Sequence, residues 1–279
     1  MQASQNTSKI PEQNSPTRSL CYDHLWAALI FFTRLPFWRI YQPPKEAYQR
    51  VVEYWPLTGW LTAGVMAGVL YTGSLHLSYE IAIVLAIASR LLLTGALHED
   101  GLADFFDGFG GGGNNRQRIL DIMKDSHIGT YGVSALIIYM ALLFFALHSL
   151  QPADAALAIL AIDPYAKMVS AQVIQMLPYA RTEETAKNKT IYSKFSVAAG
   201  ISLAVQGLLP IGLYLYWMQQ QIDWTMLIFL PCLTMYFLYL FIWQRLRGYT
   251  GDCCGALFLL TELTAYLTVS ASLSTNLFS

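Results

Sequence analysis

Apolar segments of about bilayer length recur through this chain of 279 residues. A transmembrane helix needs about 20 consecutive apolar residues. The predicted spans are 54–74, 79–97, 131–149, 155–178, 195–217, 225–243 and 255–277. The stretch 25–32 is apolar but too short to span, which predicts a short interfacial or re-entrant N-terminal helix. The sequence therefore predicts an all-α, polytopic integral membrane helical bundle with about seven transmembrane helices.

Composition agrees with a membrane protein and excludes several soluble classes. Hydrophobic residues make up 55% of the chain and charged residues only 13%, against about 25% charged in ordinary soluble domains. The net charge of −1 argues against a nucleic-acid partner. None of the four cysteines forms a C-x-x-C pair, so neither a zinc knuckle nor a thioredoxin-like motif is present. Membrane lipid is the expected surrounding.

The chain divides into a polar tail and one apolar unit. Residues 1–19 are rich in Gln, Asn, Ser and Pro, which predicts a disordered tail. The tail has no apolar core of the kind found in a cleaved signal peptide. Residues 20–279 are predicted to form a single helical transmembrane catalytic domain.

The distribution of lysine and arginine predicts the orientation. Fifteen of the 17 basic residues lie in the tail or in the connections 34–53, 98–130, 179–194 and 244–254. The alternate connections carry none. Because basic loops stay inside, these four connections are predicted to face the cytoplasm at the inner membrane, with the C-terminus on the opposite face. An even number of crossings remains open if one segment is re-entrant.

An acidic motif at 98–108 follows the second predicted span. Asp100, Asp104 and Asp107 stand at i, i+4 and i+7, which is one face of a helix. Stacked carboxylates repel one another unless a cation neutralises them, and oxygen ligands suit a divalent metal such as Mg²⁺. The alternative is a solvated polar face at a helix end, although the apolar residues between the aspartates make a poor solvated face. A metal at a membrane surface suggests chemistry on a phosphate.

The glycine-rich run at 108–113 matches G-x-G-x-x-G in letters only. A dinucleotide-binding fold requires a β-strand directly before this motif, and none is predicted here, so that fold is excluded. The glycines could let the backbone approach a pyrophosphate closely, or they could form a hinge. Both interpretations stay open.

An amphipathic basic helix is predicted after the glycine run. Arg116, Arg118 and Lys124 are candidates for neutralising phosphate oxygens. Asp125 is a candidate metal ligand or proton acceptor, and His127 a candidate substrate contact. The alternative is an ordinary surface helix attracted to anionic lipid.

Charged residues inside the predicted spans are expected to pair or to face a polar cavity. Lys167 follows Asp163 by four residues, a spacing that permits a salt bridge. Arg90 and Glu262 also lie within spans, and Glu262 is a functional candidate by its position.

Two further polar positions flank the last spans. Arg181 lies just beyond the predicted cytosolic end of the span 155–178. Asp252 either caps the last helix or completes the site. The neighbouring Gly251 and Gly255 predict close helix packing.

These motifs together resemble the cobalamin synthase family, the adenosylcobinamide-GDP ribazoletransferases. The resemblance rests on H-x-D-G-L-A-D-x-x-D-G at 98–108 and on I-M-K-D-S-x-x-G-T-x-G at 122–132. It continues at 33–36, at 178–181, and from 250 to Glu262, and so covers nearly the whole chain beyond the tail.

The resemblance implies a Mg²⁺-dependent transfer. The adenosylcobinamide-phosphate group of adenosylcobinamide-GDP passes to α-ribazole or its 5′-phosphate, giving adenosylcobalamin or its 5′-phosphate and GMP. Asp100, Asp104 and Asp107 would hold the metal, and Asp104 and Asp125 are the catalytic candidates. A homo-oligomer or a complex with other corrinoid enzymes is a further expectation. The expected substrate-binding residues are Arg34, Arg116, Arg118, Lys124, His127, Arg181, Asp252 and Glu262.

Two other functions remain open on the sequence. A CDP-alcohol phosphotransferase of phospholipid synthesis has D-x-x-D-G-x-x-A-R; residues 104–108 match its first five positions, but 111–112 are Gly-Gly. A cation transporter would need acidic residues near the bilayer midplane and polar paths to both faces. The short, sparsely charged connections on the predicted outer side disfavour a transporter.

Overall fold

The protein is a bundle of helices, as predicted. A computed structural model describes residues 21–181, 191–218 and 222–275; the predicted disordered tail 1–19 lies outside them. Two short 3-10 segments occupy Phe37–Arg39 and Lys45–Tyr54. The α-helices of the described part are α1 Cys21–Phe32, α2 Trp55–Ser74, α3 Tyr79–Thr94, α4 Leu97–Gly111, α5 Arg116–Lys124, α6 Thr130–His148, α7 Pro152–Ala171, α8 Val173–Met176, α9 Val197–Met218, α10 Trp224–Leu246 and α11 Gly251–Thr275.

Five helices of the described part are long and apolar enough to cross a membrane. They are α6, α7 with α8, α9, α10 and α11, and each matches a predicted span. The protein is therefore a multi-pass helical membrane protein. Helix α2 is long enough, but its Gly, Thr and Trp residues make it less apolar than these five helices. The number of candidates is thus five, or six with a bent pair, and not seven.

The predicted span at 79–97 ends three residues earlier in the structure, at a sharp bend. Helix α3 ends at Thr94, and the chain turns by 89° into α4. Gly95 and Ala96 both adopt left-handed backbone angles, with φ of 66° and 55°. Glycine adopts this conformation without a Cβ clash and commonly ends a helix. The bend carries the acidic motif away from the axis of α3.

The glycine-rich run is a packing surface. Gly108, Gly110 and Gly111 belong to α4. A Cβ at Gly108 would lie 2.6 Å from the Met123 side chain of α5, and one at Gly110 would lie 2.7 Å from the Tyr131 ring of α6. The absence of side chains therefore lets α5 and α6 pack on the end of α4.

Buried ion pairs connect the helices inside the bundle. The predicted Asp163–Lys167 salt bridge is confirmed at 2.5 Å, and the Thr62 hydroxyl bonds to both partners. Arg90 donates to Glu262 at 2.6 Å. Pairing of this kind is expected for charges in an apolar interior.

Candidate active site

A short backbone bridge brings two distant polar segments together. The N–H of Ala180 donates to the carbonyl of Tyr249 at 2.8 Å, and the N–H of Tyr249 donates to the carbonyl of Pro178 at 2.9 Å. Gly248 permits this approach, because a Cβ there would lie 2.7 Å from the Pro178 oxygen. The bridge places Arg181, which follows it, beside the start of α11.

Helices α4 and α11 are in close contact at two glycines. A Cβ at Gly101 would lie 3.1 Å from the Asp252 carbonyl oxygen, and one at Gly255 would lie 3.0 Å from the His98 oxygen. The predicted close packing at Gly255 is confirmed, whereas a Cβ at Gly251 would meet nothing within 4 Å. The contact brings the first turns of α4 and α11 side by side, with Asp100 on one and Asp252 on the other.

A cavity of about 120 Å³ opens where these segments meet. Its polar lining includes Asp100, Arg181, Asp252 and His98. Three of these four were predicted as site residues from three separate parts of the sequence. One Nη of Arg181 donates to the Leu120 carbonyl at 2.8 Å, while its Nε is buried without a hydrogen-bond partner in the described chain. The cavity thus combines carboxylates with a guanidinium.

Aromatic rings form much of the rest of the cavity wall, beside smaller residues such as Val52, Leu97 and Cys254. They come from Phe31, Phe32, Trp55, Tyr179 and Tyr192. Burial, helped by the nearby charge of Asp252, raises the pKa of Tyr179 to about 12, so its hydroxyl stays protonated at neutral pH. An acidic and basic rim beside an aromatic wall suits a ligand with a charged group and a planar ring.

A second, basic groove of about 300 Å³ lies on the other side of Arg181. Arg116 and Lys124 of α5 line it together with Arg181. Arg116 also donates from Nε to the Leu246 carbonyl at 2.8 Å and from one Nη to the Ala180 carbonyl at 2.6 Å. Two of its donors therefore join α5 to α10 and to the bridge segment. Arg116 and Lys124 are both exposed at the groove.

The three aspartates of the acidic motif have different surroundings. Asp107 accepts the backbone N–H of Gly129 at 2.7 Å and of Gly132 at 2.9 Å, so its carboxylate caps the start of α6. Asp104 is half-buried, and Asp100 is exposed at the cavity. Among the described residues, no group of three or more His, Cys, Asp or Glu side chains is arranged to hold a metal ion. The three aspartates share a helix without forming a three-carboxylate cluster.

The donor set nevertheless fits a magnesium ion bound together with a phosphate. Mg²⁺ commonly binds through one or two carboxylates, several waters and the substrate's phosphate oxygens. Asp100 and Asp252 present carboxylates at the cavity, and Asp104 follows Asp100 by one helical turn. The chemistry of these side chains is that of hard oxygen ligands.

Seven predicted site residues lie outside the lining of both cavities: Asp104, Asp107, Glu262, Arg34, Arg118, Asp125 and His127. The exposed Arg34 places its side chain against Gly95 at the α3–α4 bend. Arg118 is exposed on α5. The Asp125 carboxylate accepts from the backbone N–H of His127 at 3.1 Å and contacts its ring at 2.6 Å. This contact lowers the pKa of Asp125 and raises that of His127.

Glu262, which was predicted to contact substrate, is buried inside the bundle and lines neither cavity. One of its oxygens accepts from Arg90, and the other accepts from the Tyr139 hydroxyl at 3.2 Å. Arg90 also lies 3.7 Å from Glu99, the residue before Asp100. The structure therefore gives Glu262 a part in fixing α3, α4, α6 and α11 relative to one another.

The residue-based predictions missed the aromatic wall. Phe31 and Phe32 end α1, directly before the 33–36 motif, and Tyr192 lies within the basic connection 179–194. No periodic pattern distinguishes these rings from other apolar residues. Tyr179 is the exception, because it lies within the 178–181 motif.

The comparisons with known proteins agree with one another. A family model described as cobalamin-5-phosphate synthase matches residues 24–270. A relative from Vibrio parahaemolyticus, adenosylcobinamide-GDP ribazoletransferase, is 37% identical over 88% of this chain and 90% of its own length. One of the same description from Leptospira interrogans is 31% identical over 90% of this chain and 96% of its own length. No solved structure matches. The chain belongs to the cobalamin-5-phosphate synthase family.

Proposed function

We propose that this protein transfers the adenosylcobinamide-phosphate group of adenosylcobinamide-GDP to α-ribazole 5′-phosphate or α-ribazole, with release of GMP. Membership of the family makes the protein an enzyme of the last steps of cobalamin synthesis. The observation that carries the proposal is the shared cavity of Asp100, Arg181 and Asp252. Carboxylates and a guanidinium at one cavity suit a metal-bound diphosphate.

Magnesium is the proposed cofactor. Asp100 and Asp252 would hold it, with Asp104 one turn along α4. When bound, Mg²⁺ supplies charge neutralisation at the diphosphate and stabilises the departing phosphate. Asp107 is assigned to the support of α6, because both of its oxygens accept backbone N–H groups.

The chain's own residues would position the reactants and accept a proton. The ribazole hydroxyl oxygen forms a bond to the phosphorus that carries cobinamide, and the bond from that phosphorus to the GMP oxygen breaks. GMP leaves with the electron pair, and the hydroxyl proton passes to a carboxylate. Asp104, one helical turn from Asp100, is the proposed proton acceptor, and Asp125, which lies outside both cavities, stays the alternative predicted from the sequence. Arg181 would hold a phosphate oxygen through its buried Nε and remaining Nη.

The basic groove supports the 5′-phosphate form of the acceptor. Lys124 and the remaining donors of Arg116 face a space that adjoins the cavity through Arg181. A phosphate there would place the ribazole near the diphosphate. Arg118, His127 and Arg34 lie outside this arrangement and stay predictions.

The orientation and partners are also proposals. Multi-pass membrane insertion is supported by the apolar helices, and the basic connections support a cytoplasmic active site at the inner membrane. Lipid would surround the bundle. A homo-oligomer or an assembly with other corrinoid enzymes stays an expectation.

The test is a magnesium-dependent assay of the purified full chain. Adenosylcobinamide-GDP is supplied with α-ribazole or its 5′-phosphate, and GMP release is followed. We expect turnover with Mg²⁺ and its loss with chelator. Asp104→Asn should abolish turnover with normal membrane insertion, whereas Asp223→Asn, at the cap of α10, should retain it. Wild-type activity in Asp104→Asn would remove the metal and proton roles from that residue.

The acceptor form is tested in the same assay. Lys124→Ala should raise KM for the 5′-phosphate acceptor and leave KM for the unphosphorylated acceptor unchanged. An equal change for both acceptors would contradict the phosphate groove. A CDP-alcohol in place of the GDP-activated corrinoid should give no product, which separates the proposal from phospholipid headgroup synthesis.

A further inference from the structure

The ring of His98 is held in one protonation pattern by a neighbouring indole. Trp55, the first residue of α2, lies with its Nε1 3.3 Å from His98 Nε2, and the two ring planes differ by 20°. An indole N–H can only donate a hydrogen bond. His98 Nε2 must therefore be the acceptor, which places the single ring proton of the neutral imidazole on Nδ1.

Neighbouring rings and helix α11 also hold the imidazole and the backbone of His98 in place. Phe258 packs edge-on against the imidazole at 4.8 Å between ring centroids, and Phe32 lies nearly parallel to it. The backbone oxygen of His98 contacts α11 at Gly255. The ring is almost fully buried, at 4% exposure, and what it exposes faces a site rather than open solvent.

The Nδ1–H group is left available for a ligand. Within the part of the chain that the structure describes, no hydrogen-bond partner of Nδ1 is found, and His98 belongs to the lining of the cavity that contains Asp100, Arg181 and Asp252. A donor at the wall of a cavity is free to bond to water or to an acceptor atom of a ligand that enters it. The two carboxylates cannot donate to a phosphate, so His98 joins Arg181 and the hydroxyls of Tyr179 and Tyr192 as the side-chain donors of the lining.

We propose that His98 is a substrate-contacting residue whose Nδ1–H donates to an anionic phosphate oxygen in the cavity, and that Trp55 is the positioning residue that fixes its tautomer. The proposal rests on the proposed function, which brings a diphosphate to this cavity. A donor fixed before the substrate arrives stabilises charge on the departing phosphate without reorganisation. The bond is strengthened by the charge of its acceptor.

The tautomer is tested directly by nitrogen NMR of the full chain labelled with ¹⁵N-histidine, in detergent micelles and without substrate. His98→Gln identifies the signals of residue 98 by their loss. We expect the Nδ1–H tautomer in the wild type. In Trp55→Phe, which keeps an aromatic ring but removes the indole N–H, we expect a mixture with the Nε2–H tautomer. A wild-type spectrum with the proton on Nε2 overturns the proposal.

The contact is tested by a pair of amide variants. The asparagine amide reaches the position of Nδ1, whereas the glutamine amide reaches that of Nε2. We expect His98→Gln to lower kcat about 10²- to 10³-fold, the usual effect of removing one preorganised donor. His98→Asn should stay within about tenfold of the wild type, because it restores a donor at the Nδ1 position. Trp55→Phe should lower kcat more than it raises KM.

Unfolding temperatures separate this role from a structural one. Both amide variants remove the same ring packing, so a merely structural role would lower their activities and unfolding temperatures equally. Equal kcat losses in the two variants, with GMP release by the wild type, overturn the proposal for His98 and leave the proposed function intact. If the wild type releases no GMP, the proposed function fails, and the ¹⁵N spectra still decide the tautomer.

Discussion

At the scale of the residue, identical side chains on one helical face acquire different roles from what packs against them. The i, i+4, i+7 spacing correctly places Asp100, Asp104 and Asp107 on α4. The spacing contains no information about α6, whose first N–H groups bind Asp107. Sequence periodicity predicts which residues share a face, but the neighbours of that face are set by tertiary packing.

The matched changes Asp107→Asn and Asp100→Asn should therefore separate stability from activity. Asp107→Asn turns an amide NH₂ toward N–H groups, and we expect a loss of roughly 1.5–3 kcal/mol in the free energy of unfolding. Asp100→Asn, at the exposed cavity wall, should change it by less than about 0.5 kcal/mol and abolish turnover. Thermal unfolding in detergent and GMP release measure the two effects. A normal unfolding curve for Asp107→Asn would contradict its capping role.

The Asp125–His127 pair predicts a local pH dependence. Hydrogen bonding to Asp125 raises the pKa of His127 above 6.5, and the same contact lowers the pKa of Asp125 below 3.8. The ion pair is therefore complete between the two shifted values, is lost by deprotonation of His127 as pH rises, and is lost by protonation of Asp125 as pH falls. An NMR titration of His127 should show the raised pKa. Asp125→Asn should return it toward 6.5, whereas Asp121→Asn should not.

At the scale of the element, the site depends on how closely α4 and α11 approach. Gly255→Ala would place a Cβ 3.0 Å from the His98 backbone oxygen, and backbone cannot move aside as a flexible side chain can. We expect a loss of about 1–3 kcal/mol in unfolding free energy, with reduced turnover because Asp252 moves relative to Asp100. Gly68→Ala in α2 is the control, since a Cβ there meets nothing within 4 Å. An unchanged unfolding temperature for Gly255→Ala would contradict this packing.

The bend between α3 and α4 shows where element prediction from sequence ends. Apolar residues continue through 79–97, so hydropathy treats the segment as one span. Two left-handed residues divide it. Gly95 was a usable signal for a helix end, but Ala96 was not, because alanine rarely adopts a positive φ. The five other long helices were predictable because each is predominantly apolar over the length of a bilayer.

At the scale of the whole molecule, the buried Arg90–Glu262 pair connects four helices. Arg90→Met leaves the carboxylates of Glu262 and Glu99 buried without their guanidinium, and we expect a loss of about 3–5 kcal/mol in unfolding free energy. Combining it with Glu262→Met should cost less than the sum of the single changes, by about 0.5–3 kcal/mol. Thermal unfolding of the four proteins in detergent gives this coupling. Strict additivity would show that the pair does not act as a unit.

The topology of the whole bundle depends on α2, which was predicted to span the membrane but is less apolar than the five candidate helices. Its 20 residues reach about 30 Å, which is enough to cross a bilayer. Its polarity is explained by burial, because Thr58, Gly59 and Thr62 face the interior of the protein rather than lipid. We therefore predict that α2 crosses and that the α2–α3 connection lies outside the cell.

Single cysteines at Ser78 and Asn114, in a chain without its four native cysteines, test this topology in intact cells. A membrane-impermeant maleimide should label Ser78→Cys from outside, because it follows α2 by a short turn. Asn114→Cys, between α4 and α5, should label only after permeabilisation, because it lies in a basic connection. Turnover of each variant confirms that it is folded. Labelling of both positions from the same side would mean that α3 does not cross, and labelling of Ser78→Cys only after permeabilisation would contradict the crossing by α2.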